Sequence, residues 1–209
     1  MLLEFVRAHT VLAPVPFVPE VSLYQAEDLI TLWEAAESAA GAQPAPFWAF
    51  AWAGGQALAR HILDDRDLVA GRSVLDLATG SGLVAVAAAH AGAQPVTAND
   101  IDPLSLAAAQ ANAEANGVRV RTVEADILDS DERFGVVLAG DVFYSREMAG
   151  RVLPFLRRAA GRGSLVLVGD PGRAYLPEGL IRRAVYDVPV VEDLESMPIR
   201  RTTVWQVTA

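Results

Sequence analysis

The chain has 209 residues, 52% of them hydrophobic and 21% charged, enough for one substantial core with a small appendage. It has no cysteine and no lysine, so all seventeen basic residues are Arg; disulfide frameworks, thiol nucleophiles, a phosphate-loop lysine and Schiff-base chemistry are excluded. A net charge of -9 opposes nonspecific attraction to phosphate backbones, and His9, His61 and His90 are too dispersed for a zinc site, so neither nucleic acid nor metal is expected. No apolar run reaches the roughly 18 residues of a membrane span. The opening "MLLEFVRAH" lacks a signal-peptide pattern, which predicts a cytoplasmic protein.

Residues 1 to 71 read as an extension that packs on the rest. Its "AEDLITLWEAAESAA" predicts an amphipathic helix, and "PFWAFAWAGGQALARHIL" leads into another, with Trp48 and Trp52 four residues apart at helix-face spacing. From residue 72 to 209, short apolar runs alternate with Ala-rich segments of helical length, the pattern of a parallel sheet with crossover helices. "SVLDLA" is a first strand, followed after "TGSG" by the helix "LVAVAAAHA"; "PVTAND" is a second. Asp102 offers an N-cap and Pro103 a first helical position for a helix that stops at Gly117. "VRVRTVEAD", "FGVVLAGD" and "GSLVLVGD" supply three more strands, with the helix "MAGRVLPFLRRAA" before the last of them, kinked or begun at Pro154. "RRAVYDVPVVEDL" and "IRRTTVWQVTA" then predict an antiparallel pair at a sheet edge. The expected class is α/β: a Rossmann-like, seven-stranded sheet, five strands parallel plus a C-terminal antiparallel hairpin, with an N-terminal helical extension, an order of elements that resembles the seven-stranded methyltransferase architecture.

"DLATGSGLVA" joins a strand, a glycine turn and a helix start, which lets backbone amides approach a ligand. The run from Gly80 through Gly82 to Ala85 also satisfies the dinucleotide pattern, and Asp100 suits a ribose hydroxyl in either reading. Asp76 tips the choice: a carboxylate at the end of the first strand opposes a pyrophosphate but favours the ammonium and sulfonium of S-adenosylmethionine. Asp76, Gly80, Gly82, Asp100 and Asp126 all fall at carboxyl ends of successive strands, where α/β folds bind ligands. Asp126 there would accept from the adenine amine, with Ile127 packed on the ring. "GDPGR" reads as a turn or, through Arg173, as a clamp on the loop over the acceptor site or a contact to an acidic substrate surface; the acidic runs "DDRD" and "DSDERF" read as solvated loops.

"VLDLATGSG", "ANDIDP", "GDVFY" and "GDPGR" together resemble the class I seven-strand methyltransferases, and "PFWAFAWAGGQALARHIL" sharpens this to a resemblance to the electron-transfer flavoprotein β-subunit lysine methyltransferase family. The resemblance implies a protein-lysine N-methyltransferase with S-adenosylmethionine as cofactor and that β-subunit as protein partner. It implies Trp52 as a cofactor wall, Ala78, Thr79 and Gly80 under the methionine part, Asp100 on the ribose, Asp126 on the adenine, and Gly140 near the sulfonium. Asp141 and Tyr144 would stand beside the acceptor, Asp141 orienting the amine, and Phe143 or Tyr144 would pack on its alkyl stem. Ala78 departs from the pattern, standing where many such enzymes have a glycine. The alternatives are methylation of a ribosomal protein or small amine, an NAD-dependent oxidoreductase, and a non-catalytic binding module.

Overall fold

A computed structural model describes residues 1–41, 44–190 and 198–209. Seven strands form one sheet in the order β5-β4-β3-β6-β7-β9-β8. The five parallel members are β3 (Val74–Leu77), β4 (Val96–Asp100), β5 (Arg121–Glu124), β6 (Val136–Gly140) and β7 (Leu165–Asp170). The antiparallel pair is β8 (Ile181–Pro189) and β9 (Ile199–Gln206), with β9 inserted between β7 and β8. The predicted hairpin is therefore present, although residues 191–194 of its first segment lie outside the described residues.

The central strands are buried on both faces, which is why they read as continuous apolar runs. Their alternation assigns each residue a side. Val74, Val136, Leu138 and Leu167 join the core under helices α3 (Ala53–Asp64), α4 (Leu83–His90) and α5 (Pro103–Ala115); Leu75, Leu77, Val137, Ala139, Val166 and Val168 face α6 (Arg146–Gly161). Helix α4 is apolar around its circumference and almost wholly buried, as a sheet-covering helix must be. Asp102 caps α5 by accepting from the Leu104 N–H at 2.9 Å, with Pro103 at the first position. Pro154 sits in the interior of α6, not at its start.

The extension is not purely helical. Helices α1 (Leu2–His9) and α2 (Leu29–Ala40) flank an antiparallel hairpin, β1 (Val11–Val15) with β2 (Val18–Gln25). Val15, Val18, Val21 and Leu23 of the hairpin enter the same core as α3 and α4. Asn112 of α5 and Asn116, which caps its C-terminus, satisfy the outer edge of β2. Asn112 Oδ1 accepts from the Tyr24 N–H at 2.7 Å, and Asn116 both accepts from the Ser22 N–H at 3.0 Å and donates to its carbonyl at 2.6 Å. The amide side chain thus replaces a neighbouring strand.

Candidate active site

The carboxyl ends of β3, β4 and β6 open into one cavity of about 770 Å³, closed on the other side by the segment before α3. A smaller recess, about 60 Å³, lies between the glycine turn, the start of α3 and the end of β6, with Ala78, Gly80, Trp52, Gly140 and Asp141 bordering both spaces.

The recess owes its shape to backbone. Gly54 and Gly55 begin α3 and lie directly on the strand ends: a Cβ on Gly54 would stand 2.2 Å from the Gly169 carbonyl oxygen and 2.5 Å from Asp141 Oδ2, and one on Gly140 would stand 2.9 Å from the Gly55 backbone. Gly140 and Gly169 are register partners on β6 and β7, so the backbone of the helix start lies directly on the backbone of two strand ends, with Leu58 and Asp141 at the border of the contact. Gly82 serves a different contact than the one expected. It lines neither space, and its left-handed φ of 79° lets the turn press on Ala109 of α5, where a Cβ would come within 2.7 Å.

Among the described residues, two that are not glycine have positive φ: Ala78 at 53° and Asp141 at 56°. Both follow strand ends and both border the recess. Ala78 thus holds a glycine-like conformation with a methyl group, which accounts for its place in the pattern.

Asp76 lies beneath the turn, fully buried. Its Oδ2 accepts from Thr79 Oγ1 at 2.5 Å and from the Ala85 N–H at 3.0 Å, tying the turn to the first turn of α4. Burial raises its pKa to about 7, against the lowering effect of those two bonds. Asp76 and Thr79 border the recess but not the large cavity. Asp100 faces the cavity, accepting from the N–H groups of Gly80 at 3.0 Å, Ile101 at 2.8 Å and Asp102 at 3.1 Å. Burial again pushes its pKa up. At the other end of the cavity Asp126 pairs with Arg151 at 2.7 Å, an ion pair that holds its carboxyl low, and Ile127 and Leu128 add apolar wall.

Asp141 is almost sealed. Its Oδ2 accepts from the Gly55 N–H at 3.1 Å, capping α3 from a distant strand, while its Oδ1 receives both Nε and Nη2 of Arg173 at 3.2 and 2.8 Å. Burial lifts its pKa to about 6, opposed by the Arg173 charge. Arg173 is held by a turn in which Asp170 Oδ1 accepts from the N–H groups of Gly172 and Arg173, and its guanidinium also lies 5.7 Å from the Trp52 ring centre. The turn expected of "GDPGR" is present, and from it Arg173 reaches Asp141.

The cavity mouth is aromatic. Tyr144 is 56% exposed and its ring lies 6.4 Å from that of Phe47, which in turn meets Trp52 edge-on at 5.6 Å; Trp52 Nε1 donates to the Phe47 carbonyl at 2.8 Å. Phe143 departs from expectation: it is fully buried among Val142, Phe155 and Leu156 and does not reach the cavity. The reason is that the chain leaves the strand at the positive φ of Asp141 and turns, burying both Val142 and Phe143 and leaving Tyr144 outside. Trp48 and Trp52 do not share a helix face either; Trp48 lies in a short turn at Phe47–Ala49 and Trp52 is the N-cap of α3, yet both line the cavity. Arg151 and Arg173 were not assigned as site residues from sequence, because their carboxylate partners lie 25 and 32 positions away and no local pattern links them.

The strand order, the acidic strand ends and the cavity above them define a Rossmann-like methyltransferase fold. Magnesium protoporphyrin IX methyltransferase from Synechocystis PCC 6803, solved with bound S-adenosylmethionine, shares it with a TM-score of 0.53 at 17% identity, over 73% of this chain and 77% of that one. Residues 57–142 match the family described as ribosomal protein L11 methyltransferase (PrmA). The electron transfer flavoprotein beta subunit lysine methyltransferase of Xenopus laevis is 34% identical over 97% of this chain and 85% of its own length. That of Danio rerio is 37% identical over 78% of this chain, and the match spans 66% of its length, just under two thirds. The chain belongs to the electron transfer flavoprotein beta subunit lysine methyltransferase family.

Proposed function

We propose that this protein transfers a methyl group from S-adenosylmethionine to a lysine side chain of a protein, with the electron-transfer flavoprotein β-subunit as acceptor. What carries the reading is the match along 97% of the chain to a relative named for that activity.

The cavity fits the cofactor in size and chemistry. Pockets of about 300–1,000 Å³ take ligands of this class, and the volume of about 770 Å³ lies within that range. The recess beside it is bordered by the carboxylates of Asp76 and Asp141, which suits a cationic group and disfavours a pyrophosphate. Asp100 would hold the ribose hydroxyls, Asp126 with Ile127 the adenine, and Trp52, Ala78, Thr79, Gly80 and Gly140 the methionine end. When bound, the cofactor supplies an electrophilic methyl group on a sulfonium.

The protein's own part is alignment and exclusion of water. Lysine, with a reference pKa of about 10.4, arrives protonated and must release a proton before it can attack. Tyr144 packs on its alkyl stem at the mouth, and the carboxylate of Asp141 draws the amine inward.

A methyl-radiolabelling assay with the purified β-subunit of the same source tests this: label on a mapped lysine is expected. The match of residues 57–142 to the L11 methyltransferase family favours a second reading, methylation of a ribosomal protein. Label on a ribosomal protein with an unlabelled β-subunit would replace the first reading by the second.

A further inference from the structure

Arg173 meets, within this chain, the carboxylate that a lysine acceptor would use and an aromatic ring, Trp52, beside it. Its guanidinium donates twice to Asp141 Oδ1 and lies against the Trp52 ring, while the remaining carboxylate oxygen is engaged by the Gly55 N–H. The Asp141 side chain is 12% exposed and that of Arg173 20%, so an incoming ammonium cannot approach the carboxylate with Arg173 in place. A carboxylate beside an aromatic face is a cation seat, and here it is already filled.

We propose that Arg173 is an internal stand-in for the acceptor lysine, and that the acceptor binds by displacing it. This rests on the lysine-methyltransferase reading of the site. The stand-in is chemically inert: a guanidinium keeps its proton in proteins and has no free lone pair to attack a methyl group. Arg173 lies beyond β7 in a turn with Gly172 at φ 87°, and Asp170, the last residue of β7, accepts from the backbone N–H groups of Gly172 and Arg173, so the turn can stay in place while the Arg173 side chain swings out. While the acceptor is absent, Arg173 keeps the Asp141 charge compensated in its buried position. It also sets specificity, because only a long cation competes for the seat.

Arg173→Lys and Arg173→Ala test the assignment together. Wild-type chain has no lysine, so it offers no lysine acceptor of its own. In Arg173→Lys the amine occupies the seat itself. After loss of its proton to solvent, Nζ forms the new N–C bond as the S–C electron pair returns to sulfur, leaving S-adenosylhomocysteine. Mass mapping should find methyl on residue 173, appearing at a rate per molecule that does not depend on protein concentration. In Arg173→Ala the seat is permanently vacant, so the KM for the acceptor protein should fall by the reciprocal of the vacant fraction, on the order of tenfold, with kcat retained. An Arg173→Lys protein that methylates the β-subunit yet stays unmethylated at position 173 overturns the proposal. So does a fall in kcat at constant KM in Arg173→Ala, which would make Arg173 a positioning residue. If instead the wild type labels no β-subunit but Arg173→Lys labels itself, the seat stands and the assignment of the partner fails.

Discussion

Asp76 and Asp141 are carboxylates withdrawn from water at the ends of two adjacent strands, and each gains from burial a pKa well above the ordinary 3.8, to about 7 and about 6. The folded protein therefore keeps protons that the unfolded chain has already released between pH 4 and these values, so stability should fall as pH rises through that window and level off above it. Urea unfolding across a pH series should show this slope, and Asp76→Asn should flatten it; an unchanged slope would mean that Asp76 does not titrate there. Asp141→Asn keeps an acceptor for the Gly55 N–H but loses the charge that faces Arg173. Turnover should drop, on the order of 100-fold for a misaligned amine, while cofactor affinity measured by calorimetry changes much less. A loss confined to affinity would remove Asp141 from the acceptor side.

At the level of elements, the contact that matters most is the crossing of α3 over β6 and β7. A methyl group added at Gly169 would lie 2.0 Å from the Gly54 carbonyl oxygen and 3.1 Å from Leu58 Cβ. Gly169→Ala should cost about 1–3 kcal/mol of stability and weaken cofactor binding, because the start of α3 must lift away from the recess; thermal unfolding with and without cofactor checks both. The glycine doublet Gly54-Gly55 was visible as sequence, but its partner glycines on two other elements were not. The parallel strands, the turn and the cap at Asp102 were legible because each follows from local rules: apolar runs, glycine at positive φ, a capping carboxylate. Hairpin β1–β2 was not, since Pro14 and Pro19 break the usual strand pattern and the edge of β2 is completed by Asn112 and Asn116, far along the chain. Phe143 and Tyr144 looked equivalent, as adjacent aromatics do until a core claims one of them.

Across the whole molecule, Asn112 is the joint between extension and sheet. Fully buried, it accepts from Tyr24 of β2 and donates to the Ser81 carbonyl of the glycine turn at 2.7 Å, so one side chain holds both the hairpin and that turn. Asn112→Ala strands a buried N–H and a buried carbonyl, at about 1–3 kcal/mol for each group left unsatisfied. Cofactor affinity should fall along with stability, and amide exchange should quicken in both the hairpin and the turn. Faster exchange in the hairpin alone would show that the two are independent.

The four-glycine floor has a kinetic corollary. Main chain pressed on main chain has no rotamer to swing aside, so both reactants have to come and go across the rim formed by Phe47, Ile101 and Tyr144. Whatever sits deeper leaves last. Turnover should be ordered, cofactor on first and its demethylated product off last, with that product competing against the cofactor alone in inhibition plots.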